Sequence, residues 1–435
     1  MTPYRIHPDI RQAETLPGSF YRSEEVFDAL LDRAFSRSWQ WLGDARTLVP
    51  KAGAVAPITL LPGAVDEPLL LSRDGEGVRC LSNVCTHRGN LLVHEAGCPR
   101  QLVCGYHGRR FGLDGRFQTM PRFEEAEGFP RPCDDLHRFP LHDWRGHLFS
   151  GLDPVHGAEA VLAAMEERIG FLPVEDFRHD PARDRTFLID AHWALYCDNY
   201  LEGFHIPFVH QDLNAVVDFD RYETVLFEHG NLQIAEARDG EDVFALPKGH
   251  VDEGRAIAAY YFWLFPNLMF NFYPWGLSVN VVEPLSVGRT RVRFQSFVHD
   301  PELLGQGAGG DLDTVEHEDE EVVESVQRGI RSRGYTTGRF SPTMEQGVHQ
   351  FHRMLADVLG STERSTHNAL AIEVDKKRPA RWRAFFCLFC ALNAGRPVAG
   401  APRPAVQRGR GRVAGLRGQG WSRRGRPMRH ARVVR

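Results

Sequence analysis

Residues 85–108 read CTHRGNLLVHEAGCPRQLVCGYHG, and this stretch decides the fold of the first part of the chain. Cys85 and His87 form a C-x-H pattern, and after a gap of sixteen residues Cys104 and His107 form a C-x-x-H pattern. Thiolates and imidazoles are ligands for soft and borderline metals. The spacing therefore predicts a metal site held by two loops, with one sulfur and one nitrogen ligand on each.

The same four ligands are compatible with two kinds of site. A structural zinc site of the Cys2His2 type usually opens with two cysteines and closes with two histidines, so each part carries like ligands. A Rieske [2Fe–2S] cluster has two cysteines on one iron and two histidines on the other, and mixed loops allow the cluster to bridge them. The mixed order favours the Rieske cluster, with zinc as the alternative.

Glycine residues accompany both loops at positions 89, 105 and 108. A glycine lets backbone amides approach the cluster sulfurs closely, which is one influence on the reduction potential of a cluster. Cys80 and Cys98 lie near the loops but outside the pattern. We interpret these two as buried or incidental thiols rather than as a disulfide.

The chain around the loops has the rhythm of a small antiparallel β domain. From residue 46 to residue 152, short apolar runs alternate with turn dipeptides such as Pro62-Gly63 and Asp114-Gly115. Hydrophobic periodicity predicts an amphipathic helix within 20–45, a connecting helix over 155–170, strands with one polar and aromatic helix over 185–300, and long helices over 312–358.

A second constellation lies at residues 198–210, which read DNYLEGFHIPFVH. Asn199, Glu202 and His205 are spaced i, i+3 and i+6 and would share one face of a helix. His210 lies about 140° off that face at about 100° per residue, so an unbroken helix cannot aim both histidines at one metal.

Pro207 offers a remedy, because proline disfavours helical geometry at the residue before it. We expect the helix to kink or end at Ile206, so that His210 swings back towards His205. A two-histidine metal site is predicted here, and histidines that only cap or pack in a broken helix are the alternative.

Two histidines need a carboxylate to complete the facial triad of non-haem iron oxygenases. The helix predicted over Val315–Ile330 has an apolar stripe, and Asp319 projects to its centre. An acid on such a stripe is unfavourable unless it is paired or metal-bound, so Asp319 is the predicted third ligand. Glu316 is the runner-up, and a buried ion pair is the alternative. The stripe comprises Val315, Val322, Val323, Val326 and Ile330, and the acids expected to point away are Glu318, Glu320, Glu321 and Glu324.

With these motifs the chain resembles the alpha subunits of the Rieske non-haem iron oxygenases, or aromatic-ring-hydroxylating dioxygenases, over about residues 10–360. The matching motifs are CTHRG (85–89), CGYHG (104–108), DNYLEGFH with His210 (198–210) and Glu318-Asp319. The resemblance implies an α+β fold class, with a Rieske antiparallel β domain and a helix-grip-like catalytic domain whose curved antiparallel sheet is covered by helices. It implies four parts: an N-terminal helical segment (1–45), the Rieske domain (46–152), the catalytic iron domain (153–360) and an atypical basic tail (361–435).

The resemblance also implies a homotrimer in which the cluster of one subunit faces the iron of the next. In the family, the acid three residues before the first iron histidine bridges the two metals. Glu202 stands at that position, and it would meet His107 of the partner subunit. Many members have aspartate there, whereas a branch acting on quaternary ammonium compounds has glutamate, as this chain does. Glu202 and Asn199 are therefore the candidate catalytic residues.

Two features depart from the family pattern. A tryptophan often follows the Tyr-His-Gly of the second cluster loop, but Arg109 and Arg110 stand there in this chain. We therefore expect docking of the electron donor to differ. In addition, nothing after about residue 360 matches the family.

Electrons must come from another protein, because the sequence has neither a G-x-G-x-x-G dinucleotide motif nor the spacing of a plant-type ferredoxin. A separate NAD(P)H-dependent reductase, with or without a ferredoxin, is implied. The expected reaction passes electrons from the cluster through His107 and Glu202 to the mononuclear Fe(II), where O2 is activated and a small organic substrate is hydroxylated.

The substrate is only weakly encoded. Nine of the sixteen residues from 260 to 275 are aromatic, which favours a strand pair buried on both faces. Some of these rings could line a pocket for an aromatic ring or a methylated ammonium. Two other functions stay open, a Rieske electron carrier and a zinc hydrolase with Glu202 as general base. A red-brown protein with about three irons per chain would indicate the oxygenase.

Charge is distributed unevenly over the 435 residues, whose net charge is −5. Asp375 is the last acidic residue, and seventeen lysines and arginines follow it. Three interpretations of this basic end stay open: a disordered tail, a frameshifted reading of a GC-rich gene, and a nucleic-acid-binding arm, which we favour least. A secretory signal and an apolar run of about 20 residues are both lacking, so we expect a cytoplasmic protein without membrane contact.

Overall fold

The computed structural model describes residues 4–360, and the predictions for residues 361–435 lie outside that part of the chain. Its helices are α1 (Glu24–Arg33), α2 (Ala45–Leu48), α3 (Ala158–Ile169), α4 (Trp193–Tyr200), α5 (Ile206–Val209), α6 (Gln211–Val216), α7 (Leu312–Gly329) and α8 (Gln346–Gly360). Within these described residues, every helix is too short or too polar to cross a bilayer.

Helix α1 forms where the periodicity predicts an amphipathic N-terminal helix. The Ser23 hydroxyl accepts a hydrogen bond from the Val26 amide at 3.3 Å, which caps the first turn. The helix buries Val26, Phe27 and Leu30 and is amphipathic for that reason. The connecting helix predicted for residues 155–170 is also confirmed, as α3.

Ten short strands build the region of the cluster loops. They are β1 (Gln40–Asp44), β2 (Val55–Leu60), β3 (Glu67–Arg73), β4 (Val78–Ser82), β5 (Leu102–Val103), β6 (Arg110–Phe111), β7 (Phe117–Thr119), β8 (Arg138–Phe139), β9 (Leu141–Trp144) and β10 (His147–Ser150). They pair in three antiparallel sheets, in the orders β1-β10-β9, β2-β3-β4-β8 and β5-β6-β7. The antiparallel β region is thus confirmed, and β1, which precedes residue 46, belongs to it.

A second, larger antiparallel sheet follows α3. Its strands are β11 (Arg178–His179), β12 (Arg185–Ile189), β13 (Glu223–Phe227), β14 (Gly230–Glu236), β15 (Ile257–Leu264), β16 (Leu268–Tyr273), β17 (Gly276–Ser286) and β18 (Arg289–Val298). The order is β11-β18-β17-β16-β15-β14-β13, and β12 also pairs with β18. An α+β fold with a small antiparallel domain and a helix-covered antiparallel sheet is therefore confirmed.

Both faces of this sheet are covered. On one face Trp263 packs edge-to-face against Phe351 of α8, with ring centroids 5.1 Å apart. On the other, Phe270 stacks against Phe149 of β10 at 5.9 Å. The prediction that most rings of residues 260–275 form a strand pair buried on both faces is confirmed.

The segment after α4 differs from its prediction. Helix α4 ends at Tyr200, so Glu202 and His205 lie in the connection and do not share a helical face with Asn199. The connection then passes close to the Tyr222 ring at Gly203, where a Cβ would lie 2.6 Å from the ring, so glycine is needed at this point.

Pro207 also acts differently from its prediction. It occupies the first turn of α5, which begins at Ile206, so it starts a helix rather than ending one. Proline is favourable there, because the amides of a first turn have no partner within the helix. The short helix still brings His210 back towards His205, which was the predicted outcome.

The stripe predicted for α7 is confirmed in part. Val323 and Ile330 are buried as expected, but Val326 is 42% exposed. Glu316, Glu320 and Gln327 are also buried, so the prediction that Glu320 points away was wrong. Polar partners explain the difference: the Tyr196 hydroxyl donates to Glu316, and the side-chain oxygen of Gln327 accepts from the His192 amide at 3.0 Å. A helical projection based only on apolar residues does not identify all of this face, because its buried polar side chains form hydrogen bonds with residues of neighbouring elements.

Candidate metal centres

The two cluster loops are built alike. Each closes with a hydrogen bond from a glycine amide to the carbonyl of its cysteine, Gly89 to Cys85 at 3.0 Å and Gly108 to Cys104 at 2.9 Å. Both glycines adopt a left-handed backbone, with φ of +71° and +73°, which residues with a Cβ rarely adopt. Glycine at these two points is therefore needed to close the loops.

The loops separate their sulfur ligands from their nitrogen ligands. Cys85 and Cys104 are buried, whereas His87 is half-buried and His107 is exposed. The two imidazole rings lie side by side with centroids 4.8 Å apart. Two inward thiols and two outward imidazoles fit a [2Fe–2S] cluster whose iron atoms have different ligands. We keep these four residues as the proposed cluster ligands.

Backbone donors at the second loop favour a thiolate. Burial alone would raise the pKa of Cys104, but the amide of Tyr106, the thiol of Cys85, the amide of His107 and the side-chain amide of Asn90 together lower it below its usual value. The Asn90 nitrogen lies 3.7 Å from the Cys104 sulfur. Such donors stabilise the charge on cluster sulfurs. Cys80 and Cys98 are free thiols, buried and exposed respectively, as interpreted from the sequence.

Arg109 does not face a docking surface. It is 1% exposed, its guanidinium donates to Asp134 at 2.8 Å, and it lies 4.8 Å from the centroid of the Phe117 ring. The neighbouring Arg110 is exposed. Of the two arginines expected to alter docking of the electron donor, Arg110 alone is accessible, and Arg109 is part of the core beside the cluster loop.

Arg109→Ala is expected to lower the free energy of unfolding of the Rieske region by about 3 kcal/mol, because the buried Asp134 carboxylate loses its guanidinium partner and keeps only the hydrogen bond from the Arg131 amide. Urea titration followed by the visible absorbance of the cluster measures the effect. Arg110→Ala is the matched control and should unfold like the wild type. Equal midpoints for the two variants would contradict a stabilising role for the buried pair.

Asp134 gives that stability a pH dependence. Burial alone would raise its pKa, but the hydrogen bonds from Arg109 and from the Arg131 amide hold the pKa below its usual value. A carboxyl whose pKa is lowered by folding stabilises the folded state above its ordinary pKa. That contribution is lost as the pH falls through the lowered pKa of Asp134.

Three predicted iron ligands converge in the second region. His210 Nε2 lies 3.1 Å from His205 Nε2 and 3.0 Å from Asp319 Oδ1, and the remaining distance, from His205 Nε2 to Asp319 Oδ1, is 3.5 Å. Among the described residues they form a group that could hold one metal ion. Two imidazoles and one carboxylate are the donor set of a non-haem Fe(II) site, which leaves other coordination positions free.

A second carboxylate orients each histidine. Glu202 Oε1 lies 2.8 Å from His205 Nδ1, and Glu318 Oε2 lies 2.7 Å from His210 Nδ1. A carboxylate that accepts from Nδ1–H leaves Nε2 unprotonated and directed at the metal. The prediction that Glu318 points away from the site was therefore wrong.

The carboxylates beside His210 favour its protonated form. Burial alone would lower the pKa of His210, but Asp319 and Glu318 raise it above its usual value. A metal ion must displace that proton, since only a neutral imidazole binds it. Iron affinity should therefore fall as the pH decreases.

Glu318→Gln is expected to weaken iron binding by roughly tenfold to a hundredfold, because the substitution removes the charged acceptor that fixes the His210 ring. Competition of the reconstituted enzyme with a calibrated iron chelator gives the affinity. Glu321→Gln, on the exposed side of the same helix, serves as the control. An unchanged iron affinity in Glu318→Gln would mean that its hydrogen bond does not orient the ligand.

Two further residues predicted from the sequence, Glu316 as an alternative iron ligand and Asn199 as a catalytic residue, lie outside the group of His205, His210 and Asp319. Glu316 is held by the Tyr196 hydroxyl, which donates to its Oε2 at 2.6 Å. Asn199 is half-buried near the end of α4 and is not one of the residues that line the cavity. A catalytic role for Asn199 therefore stays a prediction.

A cavity opens beside the triad and contains about 690 Å³ of empty space, part of it continuous with solvent. Its walls are rich in tyrosine: Tyr196, Tyr200, Tyr222, Tyr261 and Tyr273. Hydrogen bonds fix several of these side chains, such as that from Tyr200 to Asn271 Oδ1 at 2.6 Å and that from Tyr222 to Gln233 Oε1 at 3.2 Å. Some aromatic rings of residues 260–275 were expected to line a pocket. In the structure Tyr261 of β15 and Tyr273 of β16 do so.

Sequence reasoning did not find Glu318, Tyr196 or Tyr222 as site residues. A signal existed for Glu318, which directly precedes the predicted ligand Asp319. Tyr196 stands two residues before the segment that carries the metal motif, and nothing in its spacing distinguishes it from a core aromatic residue. Tyr222 reaches the cavity only through the turn that precedes β13.

Comparisons with known proteins agree with this arrangement. The family model described as the Rieske [2Fe-2S] domain matches residues 38–131, and that described as the ring hydroxylating alpha subunit (catalytic domain) matches residues 171–361. Fold, loops and domain models together define the alpha subunit of an iron-dependent oxygenase. The chain belongs to the Rieske-type ring-hydroxylating oxygenases.

Within this class, curated relatives include two kinds of monooxygenase. Choline monooxygenase, chloroplastic, of Amaranthus tricolor is 29% identical over 360 residues, covering 79% of this chain and 78% of the relative. The carnitine monooxygenase oxygenase subunit of Escherichia coli (strain K12) is 28% identical over 363 residues, covering 80% of this chain and 94% of the relative.

Solved structures support the fold. The quaternary ammonium Rieske monooxygenase CntA in complex with L-carnitine has a TM-score of 0.63 at 23% identity, covering 81% of this chain and 97% of that chain. Naphthalene 1,2-dioxygenase with indole bound has a TM-score of 0.61 at 18% identity, covering 80% and 93%. The same architecture thus occurs in proteins named for very different substrates.

Proposed function

We propose that this chain is a terminal oxygenase that inserts one atom of dioxygen into a small N-methylated cation at the site of His205, His210 and Asp319. The observation that best supports this proposal is the composition of the cavity wall, where five tyrosines and three carboxylates surround the histidine pair. Among the lining residues, which all lie between 196 and 319, there is no lysine or arginine. The names of the choline and carnitine monooxygenase relatives support the same substrate class.

Neutral tyrosine rings suit a methylated ammonium. Burial raises the pKa of Tyr200, Tyr222 and Tyr273 well above the usual value, so these phenols stay uncharged. The face of such a ring attracts a cation by about 0.5–2 kcal/mol, more strongly where water is excluded. The hydrogen bonds of Tyr200 and Tyr222 keep their rings in place as walls.

The metal ligands and the other residues of the site would have different roles. Iron(II) bound by the triad would supply the activation of dioxygen, and the [2Fe–2S] cluster would supply electrons. Glu202 and Glu318 hold the two imidazoles with Nε2 directed at the metal position. The tyrosine walls bind the substrate beside that position and limit the access of water.

Partners and location remain part of the proposal. We infer a separate NAD(P)H-dependent reductase, with or without a ferredoxin, a homotrimer that places Glu202 near His107 of the partner subunit, and a cytoplasmic location. The exposure of His107 and of Tyr106, which is 56% exposed, supports an interface at the cluster loop. The domain limits at 46–152 and 153–360 are likewise proposed.

Oxygen uptake tests the function. Iron-loaded enzyme with a surrogate reductase and NADH would be supplied with choline, other N-methylated ammonium compounds, or a set of aromatic acids. We expect uptake coupled to release of an aldehyde with an N-methylated cation. Coupled hydroxylation of an aromatic acid, with no turnover of any cation, would overturn the proposal.

A further inference from the structure

Glu316 is a buried acid in the cavity wall with one oxygen unpaired. It is 4% exposed and lies on α7, three residues before the predicted ligand Asp319. Tyr196 donates to Oε2 at 2.6 Å, but within residues 4–360 no donor reaches Oε1, which is also shielded from solvent. A buried carboxylate oxygen without a partner is unfavourable, so Glu316 lacks a counter-charge.

A cationic ligand in the cavity would supply that charge. Burial disfavours the ionised form of Glu316 unless a positive charge lies nearby. Because the lining residues between 196 and 319 include neither lysine nor arginine, the protein itself does not provide one there.

The carboxylates around the cavity favour a cation over an anion. Iron(II) held by Asp319 and two neutral imidazoles would carry one net positive charge, which the Glu202 and Glu318 carboxylates beside those imidazoles offset. Glu316 adds a carboxylate to the wall that no basic side chain of the lining neutralises. A substrate carboxylate, in contrast, would enter a wall that already holds Glu202, Glu316 and Asp319 and offers no basic side chain.

We infer that Glu316 is the counter-ion for the ammonium group of the substrate, and that the cavity selects cations without a carboxylate over zwitterionic betaines. This inference rests on the proposed function and narrows it. The inference predicts that the enzyme binds a choline-like substrate in preference to a carnitine-like one. Glu316 acts here as a specificity-determining residue and is not a metal ligand, since His205, His210 and Asp319 would bind the iron.

Binding to the holoenzyme tests the inference without turnover. Anaerobic calorimetry would compare choline with 3,3-dimethyl-1-butanol, which has the same shape without the charge, and with L-carnitine, which carries a carboxylate. The wild type is expected to prefer choline over both. In Glu316→Gln, the preference for choline over the neutral alcohol should fall by about tenfold to a hundredfold, with the affinity for the alcohol unchanged.

Glu320→Gln is the matched control, because Glu320 is a buried acid one turn further along α7 that does not line the cavity. It should keep the preference for choline, and Glu316→Asp should keep most of it. The visible absorbance of the cluster reports whether each variant folds, and iron content reports whether the triad still binds its metal.

Three outcomes would overturn the inference: an unchanged preference in Glu316→Gln, loss of iron from that variant, which would make Glu316 a ligand, or equal binding of L-carnitine and choline by the wild type. Failure of the proposed function is a different result. In that case no ammonium compound binds the wild type at all.

Discussion

Asp319→Ala is expected to remove the mononuclear iron and to lower turnover by roughly a thousandfold or more, while the visible spectrum of the cluster is unchanged. Asp319 Oδ1 lies within 3.5 Å of Nε2 of both His205 and His210, and it provides the only carboxylate in the group. Two imidazoles alone hold Fe(II) weakly. Metal analysis should therefore fall from about three irons per chain to about two.

The control for this variant is Glu321→Ala, since Glu321 is an exposed acid two residues further along the same helix. It should bind iron and turn over like the wild type. Retention of about three irons by Asp319→Ala would move the carboxylate assignment to Glu316. Loss of the cluster spectrum together with the iron would instead indicate unfolding of the whole chain.

The metal motifs could be predicted because each depends on local sequence. The pairs Cys85 with His87 and Cys104 with His107 occupy two loops that the sequence delimits by glycine and short strands. His205 and His210 are close in sequence, so a single break of the helix brings them together whatever its position. That explains why the two histidines lie side by side, as expected, although the first helix ends at Tyr200 and the next one begins at Ile206.

The rest of the site depends on contacts between distant segments. Glu318 faces His210 across 108 residues of sequence, and Tyr196 donates to Glu316 across 120. Such polar pairs make a helix face buried without making it apolar, so hydrophobic periodicity found only part of the buried face of α7, including Val323 and Ile330. The tyrosine wall also combines residues from α4, the sheet and a turn, and no single stretch of sequence contains it.

Glu202→Gln is expected to slow reduction of the iron site by one or two orders of magnitude, measured with enough added iron(II) to keep both metal centres occupied. Glu202 uses both oxygens within its own chain: Oε1 binds His205 Nδ1 at 2.8 Å, and Oε2 accepts from the amides of Phe204 and His205. A glutamine keeps an oxygen for His205, but its NH2 group then faces two amide donors. The side chain is therefore displaced, and the negative charge beside His205 is lost.

Pre-reduced enzyme mixed with substrate and oxygen gives the measurement, because reoxidation of the cluster is visible in a single turnover. Glu202→Asp separates charge from position, since it keeps the carboxylate but shortens its reach to His205. If charge at this point matters for the transfer between subunits, the aspartate variant should react closer to the wild-type rate than the glutamine variant does. If both variants reoxidise the cluster at the wild-type rate with full iron content, Glu202 serves only to orient His205, and the electrons take another route to the iron.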